Sequence, residues 1–231
     1  MMYILDTANV DKIKHCIENY PVDGVTTNPS IISKEHADFY DLIEMIKNVI
    51  GNRMFHIQVT GTTSDVMLKE ANVLREIVGD TLYIKIPVSP EGLKATMELK
   101  RHGFNVTETA IFTPQQAMIA AKAGADFVAP YVNRLDNIVS DGVNVVSEIV
   151  EMFNVHNIQT KVLAASFKTV EQVHKIAMCG GHAVTVNPDL FENLIYHPLT
   201  QLAVDNFEKD WESVYADKKI LDIIKTPKAE Q

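Results

Sequence analysis

The chain has 231 residues, of which 46% are hydrophobic and 22% charged, an ordinary composition for a globular protein. Its formal net charge of −9 argues against a general binder of nucleic acid or of anionic membranes, because no long-range field would attract phosphate polyanions. No run reaches the ~20 apolar residues that span a bilayer, and the first residues lack the basic segment of a signal peptide. The two cysteines, Cys16 and Cys179, lie far apart in the sequence, which is typical of proteins of the reducing cytosol. We therefore expect a cytoplasmic protein.

Short apolar runs rich in β-branched residues recur along the chain, each followed by a segment with the pattern of a helix. The eight predicted strands are, in chain order, 3–6, 24–28, 54–59, 83–88, 106–112, 127–132, 161–167 and 183–187. They begin about 20 to 35 residues apart, as strand–helix units with short loops require. They lack clean alternation, as expected for parallel strands covered on both faces. An N-cap residue followed by proline predicts four helix starts, at Asn28, Ser89, Thr113 and Asn187.

Eight such units without a Gly/Ser-rich interruption predict one (β/α)8 barrel, the TIM barrel fold, over residues 1–198. A doubly wound open sheet is the alternative, but the first strand is not followed by the GxGxxG turn of its dinucleotide-binding form. Residues 199–231 are too apolar for a solvated tail, so we predict a C-terminal helical extension there. The residues alone leave open whether it packs on its own barrel or on a neighbouring subunit.

The carboxyl ends of seven predicted strands each offer one polar side chain. These residues are Asp6, Asn28, Gln58, Lys85, Thr109, Tyr131 and Ser166. Since the chemistry of barrel enzymes lies at the carboxyl ends of the strands, we interpret the set as the lining of one pocket. A lysine, a carboxylate, hydroxyls and amides together suit a polyhydroxylated substrate.

Lys85 has the most specific pattern, because it lies between two isoleucines. Side chains alternate along a strand, so Ile84 and Ile86 face the helices and Lys85 points into the barrel. Burial disfavours the charged form, and a partly neutral amine can attack a carbonyl. We therefore predict a Schiff-base nucleophile that acts on a small keto sugar; the alternative is a lysine that reaches solvent or only pairs with Asp6. The proton relay is assigned to a held water and to Gln58, Thr109 and Tyr131.

Arg134 is a candidate phosphate clamp at the barrel mouth, because its guanidinium can bind two oxygens at once. Ser166 and Lys168 could join it, since phosphate sites after the seventh and eighth strands recur in this fold. Taken alone, such an arginine is more often an ordinary surface charge. The eight histidines show no metal-ligand spacing. We therefore expect no metal and no cofactor, and we interpret His56 as a core histidine.

Five motifs in this order resemble the small transaldolase-like family that includes fructose-6-phosphate aldolase, over essentially the whole chain. They are DT at 6–7, GVTTNPS at 24–30, KIP at 85–87, APYVNR at 129–134 and AASFK at 164–168. The resemblance implies that Lys85 is the Schiff-base lysine. It further implies contacts from Asp6, Asn28 and the adjoining Thr27 to the hydroxyls of the bound donor. The other implied roles are catalytic water and proton transfer for Gln58, Thr109 and Tyr131, and phosphate binding for Arg134, Ser166 and Lys168.

Two activities fall within this resemblance. A transaldolase of the pentose phosphate pathway keeps a dihydroxyacetone unit on lysine until an aldose phosphate accepts it, whereas an aldolase releases dihydroxyacetone. Transaldolases of the family usually carry glutamate, serine, phenylalanine and glycine where this chain has Gln58, Ala129, Tyr131 and Asn133. The resemblance therefore favours an aldolase that cleaves fructose 6-phosphate to dihydroxyacetone and glyceraldehyde 3-phosphate, with a transaldolase as the alternative.

The resemblance also implies a homo-oligomer, a pentamer or a decamer, whose C-terminal extension packs on a neighbour. The stretch VTGTT at 59–63 and the pair Asn187-Pro188 depart from the family pattern, which puts the substrate range in doubt.

Two hypotheses come from other classes of function: an inactive barrel that senses a sugar phosphate, and a metal-dependent barrel enzyme.

Overall fold

The computed structural model describes residues 1–224, and its eight strands form a closed barrel in which each pairs with its sequence neighbours in parallel. The strands are β1 Met2–Asp6, β2 Gly24–Thr26, β3 Met54–Gln58, β4 Leu82–Pro87, β5 Asn105–Ile111, β6 Phe127–Pro130, β7 Lys161–Ala164 and β8 Ala183–Val186. The predicted (β/α)8 barrel is confirmed. Because all strands run the same way, their carboxyl ends meet at one mouth of the barrel.

At least one helix follows every strand. The helices are α1 Val10–Asn19, α2 Pro29–Ile32, α3 Phe39–Ile50, α4 Ser64–Val78, α5 Pro90–Arg101, α6 Pro114–Lys122, α7 Val132–Asp136, α8 Gly142–Val155, α9 Val170–Met178, α10 Pro188–Asn193, α11 Pro198–Tyr215 and α12 Ile220–Ile223, with a 3-10 turn at Ser33–Glu35. None of the helices within residues 1–224 is both long and apolar enough to cross a bilayer.

Local capping explains where several helices begin. The Asn28 side chain accepts the amide of Ile31 at 3.0 Å, and the Ser89 hydroxyl accepts the amide of Gly92 at the same distance. Thr113 forms a capping box at the start of α6. In α2, α5 and α6 a proline occupies the first turn, where its missing N–H costs nothing. These predicted helix starts are confirmed.

The strands β6 and β7 end two and three residues earlier than the sequence predicts, and β2 ends at Thr26, two residues before the predicted end at Asn28. β6 ends at Pro130 and β7 ends at Ala164, so Tyr131 and Ser166 lie just beyond their strands. Tyr131 is the N-cap of α7 and forms one isolated bridge with Ala165. Ser166 has a φ of +64°, a left-handed conformation that lies outside the range of regular strand backbone. Both residues still lie at the carboxyl end of the barrel.

The chain divides into two compact units, of which the first runs from Met1 to Phe191 and the second begins at Glu192. Helix α11 in the second unit has no buried residue. Within that unit the Trp211 indole donates to the carbonyl of Lys218 at 2.7 Å and its ring lies 4.4 Å from the ring of Tyr215. The packing partner of the extension stays a prediction, and its residues 225–231 lie outside the described part.

Candidate active site

The side chain of Lys85 is buried at the carboxyl half of β4. Only 6% of the residue is exposed, while the flanking Ile84 and Ile86 are fully buried. The Lys85 ammonium donates to the backbone carbonyl of Thr27 at 2.8 Å. Burial lowers the pKa of Lys85, and the nearby charge of Asp6 opposes that shift. The net effect is a lowered pKa of Lys85, because the lost hydration of its charged form outweighs its attraction to Asp6.

Asp6, at the end of β1, is the carboxylate of this site. Burial raises its pKa, against the opposing effects of Lys85, of a hydrogen bond from Thr26 and of Arg134. The Thr26 hydroxyl donates to Asp6 Oδ1 at 2.8 Å, so the Thr185 hydroxyl, 2.6 Å from that of Thr26, is the donor in the second bond. Burial therefore shifts both Lys85 and Asp6 toward their uncharged forms.

A cavity of about 120 Å³ opens above these two residues. Its lining is polar on most sides and consists of Asp6, Thr26, Asn28, Lys85, Ala129, Tyr131, Arg134, Leu163, Ala165, Ser166 and Thr185. At about 30 Å³ for each water molecule, the enclosed space holds about four waters, or a small polar fragment. The side chain of Lys85 borders this space.

Tyr131 and Arg134 also line the cavity and contact each other. The Tyr131 hydroxyl lies 3.3 Å from the hydroxyl of Thr109. The Arg134 guanidinium carbon lies 4.4 Å from the centre of the Tyr131 ring, within the range of a cation–π interaction. The rings of Phe112 and Tyr131 form a T-shaped pair, with the centroids 5.3 Å apart. A proton-carrying hydroxyl and a fixed cation thus face the same space.

Six of the ten predicted site residues line the cavity: Asp6, Asn28, Lys85, Tyr131, Arg134 and Ser166. Thr109 is buried and meets the cavity through its contact with Tyr131. Thr27 contacts Lys85 through its backbone, because its carbonyl accepts a hydrogen bond from the Lys85 amine. The Thr27 hydroxyl instead donates to the carbonyl of His56 at 3.3 Å. Asn28 uses its side-chain oxygen to cap α2, which leaves its amide N–H groups for a ligand.

Gln58 and Lys168 are not part of this lining. Gln58 pairs directly with Lys85 in the β3–β4 register, but it contributes to a neighbouring apolar cleft of about 420 Å³ with Phe39 and Val73. Lys168 is exposed, and its backbone amide donates to Gln172 at 2.8 Å. The roles predicted for these two side chains stay predictions.

Thr26 and Thr185 are the site residues that sequence reasoning missed. Thr26 pairs with Asp6 in the β1–β2 register, so the two side chains lie at the same height. Alternation puts Thr26 on the same strand face as Asn28 and Thr27 on the other face, but only the register of β1 with β2 shows that Thr26 reaches Asp6. Thr185 gives no signal of its own in the sequence, because threonine is common in strands.

His56 lies below the cavity and is completely buried. Its Nδ1 is 2.9 Å from the Thr107 hydroxyl, and its ring stacks on Tyr83 with centroids 4.5 Å apart. Burial, assisted by the charge of Lys85, lowers the pKa of His56 to about 3, so the ring is neutral as a core histidine should be. Its Nε2 has no hydrogen-bond partner within residues 1–224. In that same range no three His, Cys, Asp or Glu side chains are grouped to hold a metal.

A closed barrel with a polar cavity at the carboxyl ends of its strands defines the class: a (β/α)8-barrel enzyme. Comparison with known sequences is more specific. The profile of the family Transaldolase/Fructose-6-phosphate aldolase matches residues 3–226. A "Probable fructose-6-phosphate aldolase" of Streptococcus pneumoniae is 41% identical over 213 residues, covering 91% of this chain and 96% of that protein.

Two further relatives carry the other name of the family. A "Probable transaldolase" of Symbiobacterium thermophilum is 38% identical, covering 92% of this chain and 98% of the relative. A "Probable transaldolase" of a Hydrogenobaculum species is also 38% identical, with coverages of 93% and 98%. The chain belongs to the transaldolase/fructose-6-phosphate aldolase family, and the resemblance seen in its motifs is confirmed.

Proposed function

We propose that this enzyme is a class I aldolase that reversibly cleaves fructose 6-phosphate to dihydroxyacetone and glyceraldehyde 3-phosphate. The observation that carries the proposal is the buried amine of Lys85, 6% exposed and with a lowered pKa. It lines a small cavity together with Asp6 and Arg134. An amine nucleophile needs its uncharged form, and a buried strand position supplies that form.

In the first step the neutral Lys85 nitrogen attacks the C2 carbonyl of the sugar. The resulting carbinolamine must lose its hydroxyl as water, which requires a proton donor. Asp6 suits this role, because it lines the same cavity as Lys85 and burial raises the pKa of its carboxyl group. Loss of water leaves an iminium ion between Lys85 and C2. The side-chain amide of Asn28, whose oxygen caps α2, is free to bind a donor hydroxyl.

The iminium then accepts the electrons of the bond between C3 and C4. The C4 hydroxyl loses its proton, glyceraldehyde 3-phosphate leaves, and an enamine of dihydroxyacetone remains on Lys85. A proton added at C3 restores the iminium, and water returns the free amine and dihydroxyacetone. We assign the proton transfers to the hydroxyl pair of Tyr131 and Thr109, 3.3 Å apart, with a held water and Gln58, which lies opposite Lys85 in the sheet.

The phosphate group is assigned to Arg134 and Ser166, both at the wall of the cavity, with help from Lys168. An arginine can bind two phosphate oxygens in one plane. The enclosed volume of about 120 Å³ suits the three-carbon dihydroxyacetone unit. The phosphorylated half of the sugar then lies toward the mouth, where these cations are.

Reduction with borohydride in the presence of fructose 6-phosphate tests the proposal. A reduced sugar adduct should add irreversible mass to the peptide that carries Lys85. The Lys85→Met variant should gain no mass, whereas Lys94→Met, a change at an exposed lysine of α5, should be labelled like the wild type. Labelling of another lysine, or equal turnover by Lys85→Met, would contradict the proposed nucleophile.

A transaldolase is the second candidate, because relatives of 38% identity carry that name. The hydroxyl of Tyr131 instead favours the aldolase, since it brings a proton carrier close to the enamine. Product analysis separates the two. Glyceraldehyde 3-phosphate released without any acceptor sugar supports the aldolase, whereas release that depends strictly on erythrose 4-phosphate supports the transaldolase.

A further inference from the structure

Two residues with left-handed backbone conformations flank the segment that carries Tyr131 and Arg134. Ala110, in β5, has a φ of +59°, and Ser166, just after β7, has a φ of +64°. Residues other than glycine rarely adopt such angles, because Cβ then crowds the backbone. Conformations of this kind persist only where the surrounding structure imposes them, and they cluster at functional sites.

Ala110 is the extra residue of a β-bulge. In the pairing of β5 with β6, Thr109 lies opposite Ala129 and Ile111 lies opposite Pro130, so Ala110 has no partner. A bulge adds one residue to one strand and changes the direction of the side chains that follow it. Thr107 and Thr109 share the inward face by alternation. Because the alternation is interrupted at the bulge, Thr109 is the last residue of β5 on this inward face.

Three carbonyls next to the left-handed residues accept the amides at the start of α7. The amide of Tyr131 donates to Ile111 at 3.1 Å, that of Val132 to Ala165 at 2.9 Å, and that of Asn133 to Ser166 at 2.8 Å. The first amides of a helix normally lack backbone partners. Here the neighbouring strands supply them, so the direction of each carbonyl fixes the start of α7.

The contact between the hydroxyls of Thr109 and Tyr131 crosses the same bulge. Tyr131 is therefore held twice from β5, once through its amide by Ile111 and once through its hydroxyl by Thr109. Ala110 lies between these two anchors, and its side chain is not part of the cavity lining. Its backbone angles alone set the distance and the direction from one anchor to the other.

We propose that Ala110 is a positioning residue of this enzyme, whose left-handed conformation aims the Tyr131 hydroxyl at the carbon chain of the bound sugar. The kinetic consequences rest on the proposed aldolase function. Lys85 on β4 pairs with Thr107, which precedes the bulge in β5, so we expect Schiff-base formation to be independent of Ala110. The amides of Val132 and Asn133 donate to carbonyls that follow β7. The position of Arg134 therefore depends less on Ala110 than the position of Tyr131 does.

Two variants of nearly equal shape separate backbone conformation from side-chain size. Asparagine and leucine have the same branched outline, but asparagine is enriched in the left-handed region and leucine is not. We expect Ala110→Asn to keep kcat close to that of the wild type and Ala110→Leu to lower kcat by about 10²-fold, the loss that a misplaced catalytic group can cause. The KM for fructose 6-phosphate should change little in both. Ala110→Gly, which adopts the same angles freely, should also retain kcat.

The double variant Ala110→Leu/Tyr131→Phe completes the test. If Ala110 acts through the Tyr131 hydroxyl, leucine should lower kcat no further once that hydroxyl is gone. Equal losses in Ala110→Asn and Ala110→Leu, or full activity in Ala110→Leu, would overturn the proposal. If the leucine variant does not fold, Ala110→Ser replaces it; a lower kcat than that of Ala110→Asn is then expected, and a kcat equal to or above that of Ala110→Asn would overturn the proposal.

Borohydride labelling of Lys85 in the same variants separates this inference from the aldolase proposal. Intact labelling with lost kcat in Ala110→Leu supports a role after Schiff-base formation. A wild-type protein without labelling or sugar cleavage contradicts the aldolase function itself, whatever the variants do. Labelling that falls in parallel with kcat in Ala110→Leu would show general damage to the barrel and overturn the positioning role.

Discussion

Glu108 is a buried acid that the proposed reaction does not use, and it gives a sharp test of the electrostatics of this barrel. It lies in β5, fully buried, and its Oε1 accepts the hydroxyl of Thr96 in α5 at 2.6 Å. Its other oxygen has no hydrogen-bond partner among the described residues. Burial, partly offset by the bond from Thr96, raises the pKa of Glu108 from 4.5 to about 7.

The shift makes the stability of the protein depend on pH. Below pH 4.5 the folded and unfolded states both hold the proton, and the stabilising contribution of the neutral acid is fully present. As pH rises from 4.5 to about 7, only the folded state keeps the proton, so the free energy of unfolding falls by ~1.4 kcal/mol for each pH unit. The loss totals about 3 kcal/mol, and above the folded pKa it stays constant.

Replacement of Glu108 by glutamine removes the ionisation and nearly preserves the shape. We expect Glu108→Gln to be more stable than the wild type by about 3 kcal/mol at pH 8 and by much less at pH 4.5. Urea unfolding followed by far-UV circular dichroism at both pH values measures the difference. Glu151→Gln, at an exposed position of α8, is the matched control and should show little change. A stability difference between Glu108→Gln and the wild type that is the same at both pH values would refute the reasoning.

Three further changes test the site and the extension. Arg134→Ala should raise the KM for fructose 6-phosphate by about 10- to 10²-fold, since a charge-assisted hydrogen bond is lost, and steady-state kinetics with unphosphorylated fructose should show no comparable change. Tyr131→Phe should lower kcat by about 10²-fold through loss of a proton carrier, and a stopped-flow measurement in which bond cleavage keeps its rate would contradict the assigned role. Phe207→Glu, at a 70% exposed position of α11, should reduce the subunit number in sedimentation experiments, and an unchanged mass would count against an intersubunit role for the extension.

The barrel could be predicted because its signals are local. Each strand is a short apolar run, and each cap is a pair of adjacent residues, such as Asn28 followed by Pro29, so no knowledge of distant contacts is needed. The inward direction of Lys85 also follows from local alternation. Once eight units were recognised, the shared height of the strand ends placed Asp6, Lys85 and Arg134 around one space.

The parts that could not be predicted depend on contacts between strands. The sequence predicts Tyr131 and Ser166 within strands, because nothing in it indicates the bulge at Ala110 or the left-handed backbone of Ser166. Thr26 rather than Thr27 lines the cavity, and that choice depends on the register with Asp6. Glu108 gives no sign of burial, since a carboxylate in a strand is ordinarily exposed.

The central claim is that burial lowers the pKa of the Lys85 amine and so favours its use as a nucleophile. Its titration can be followed directly by NMR of protein labelled with ¹³C at the lysine ε-carbon, with the resonance assigned by its absence in Lys85→Met. One lysine should titrate well below the ~10.4 of ordinary lysines, and its signal should be the one that disappears in the variant. If every lysine signal, including that of Lys85, titrates near the ordinary value, the account of this nucleophile is wrong.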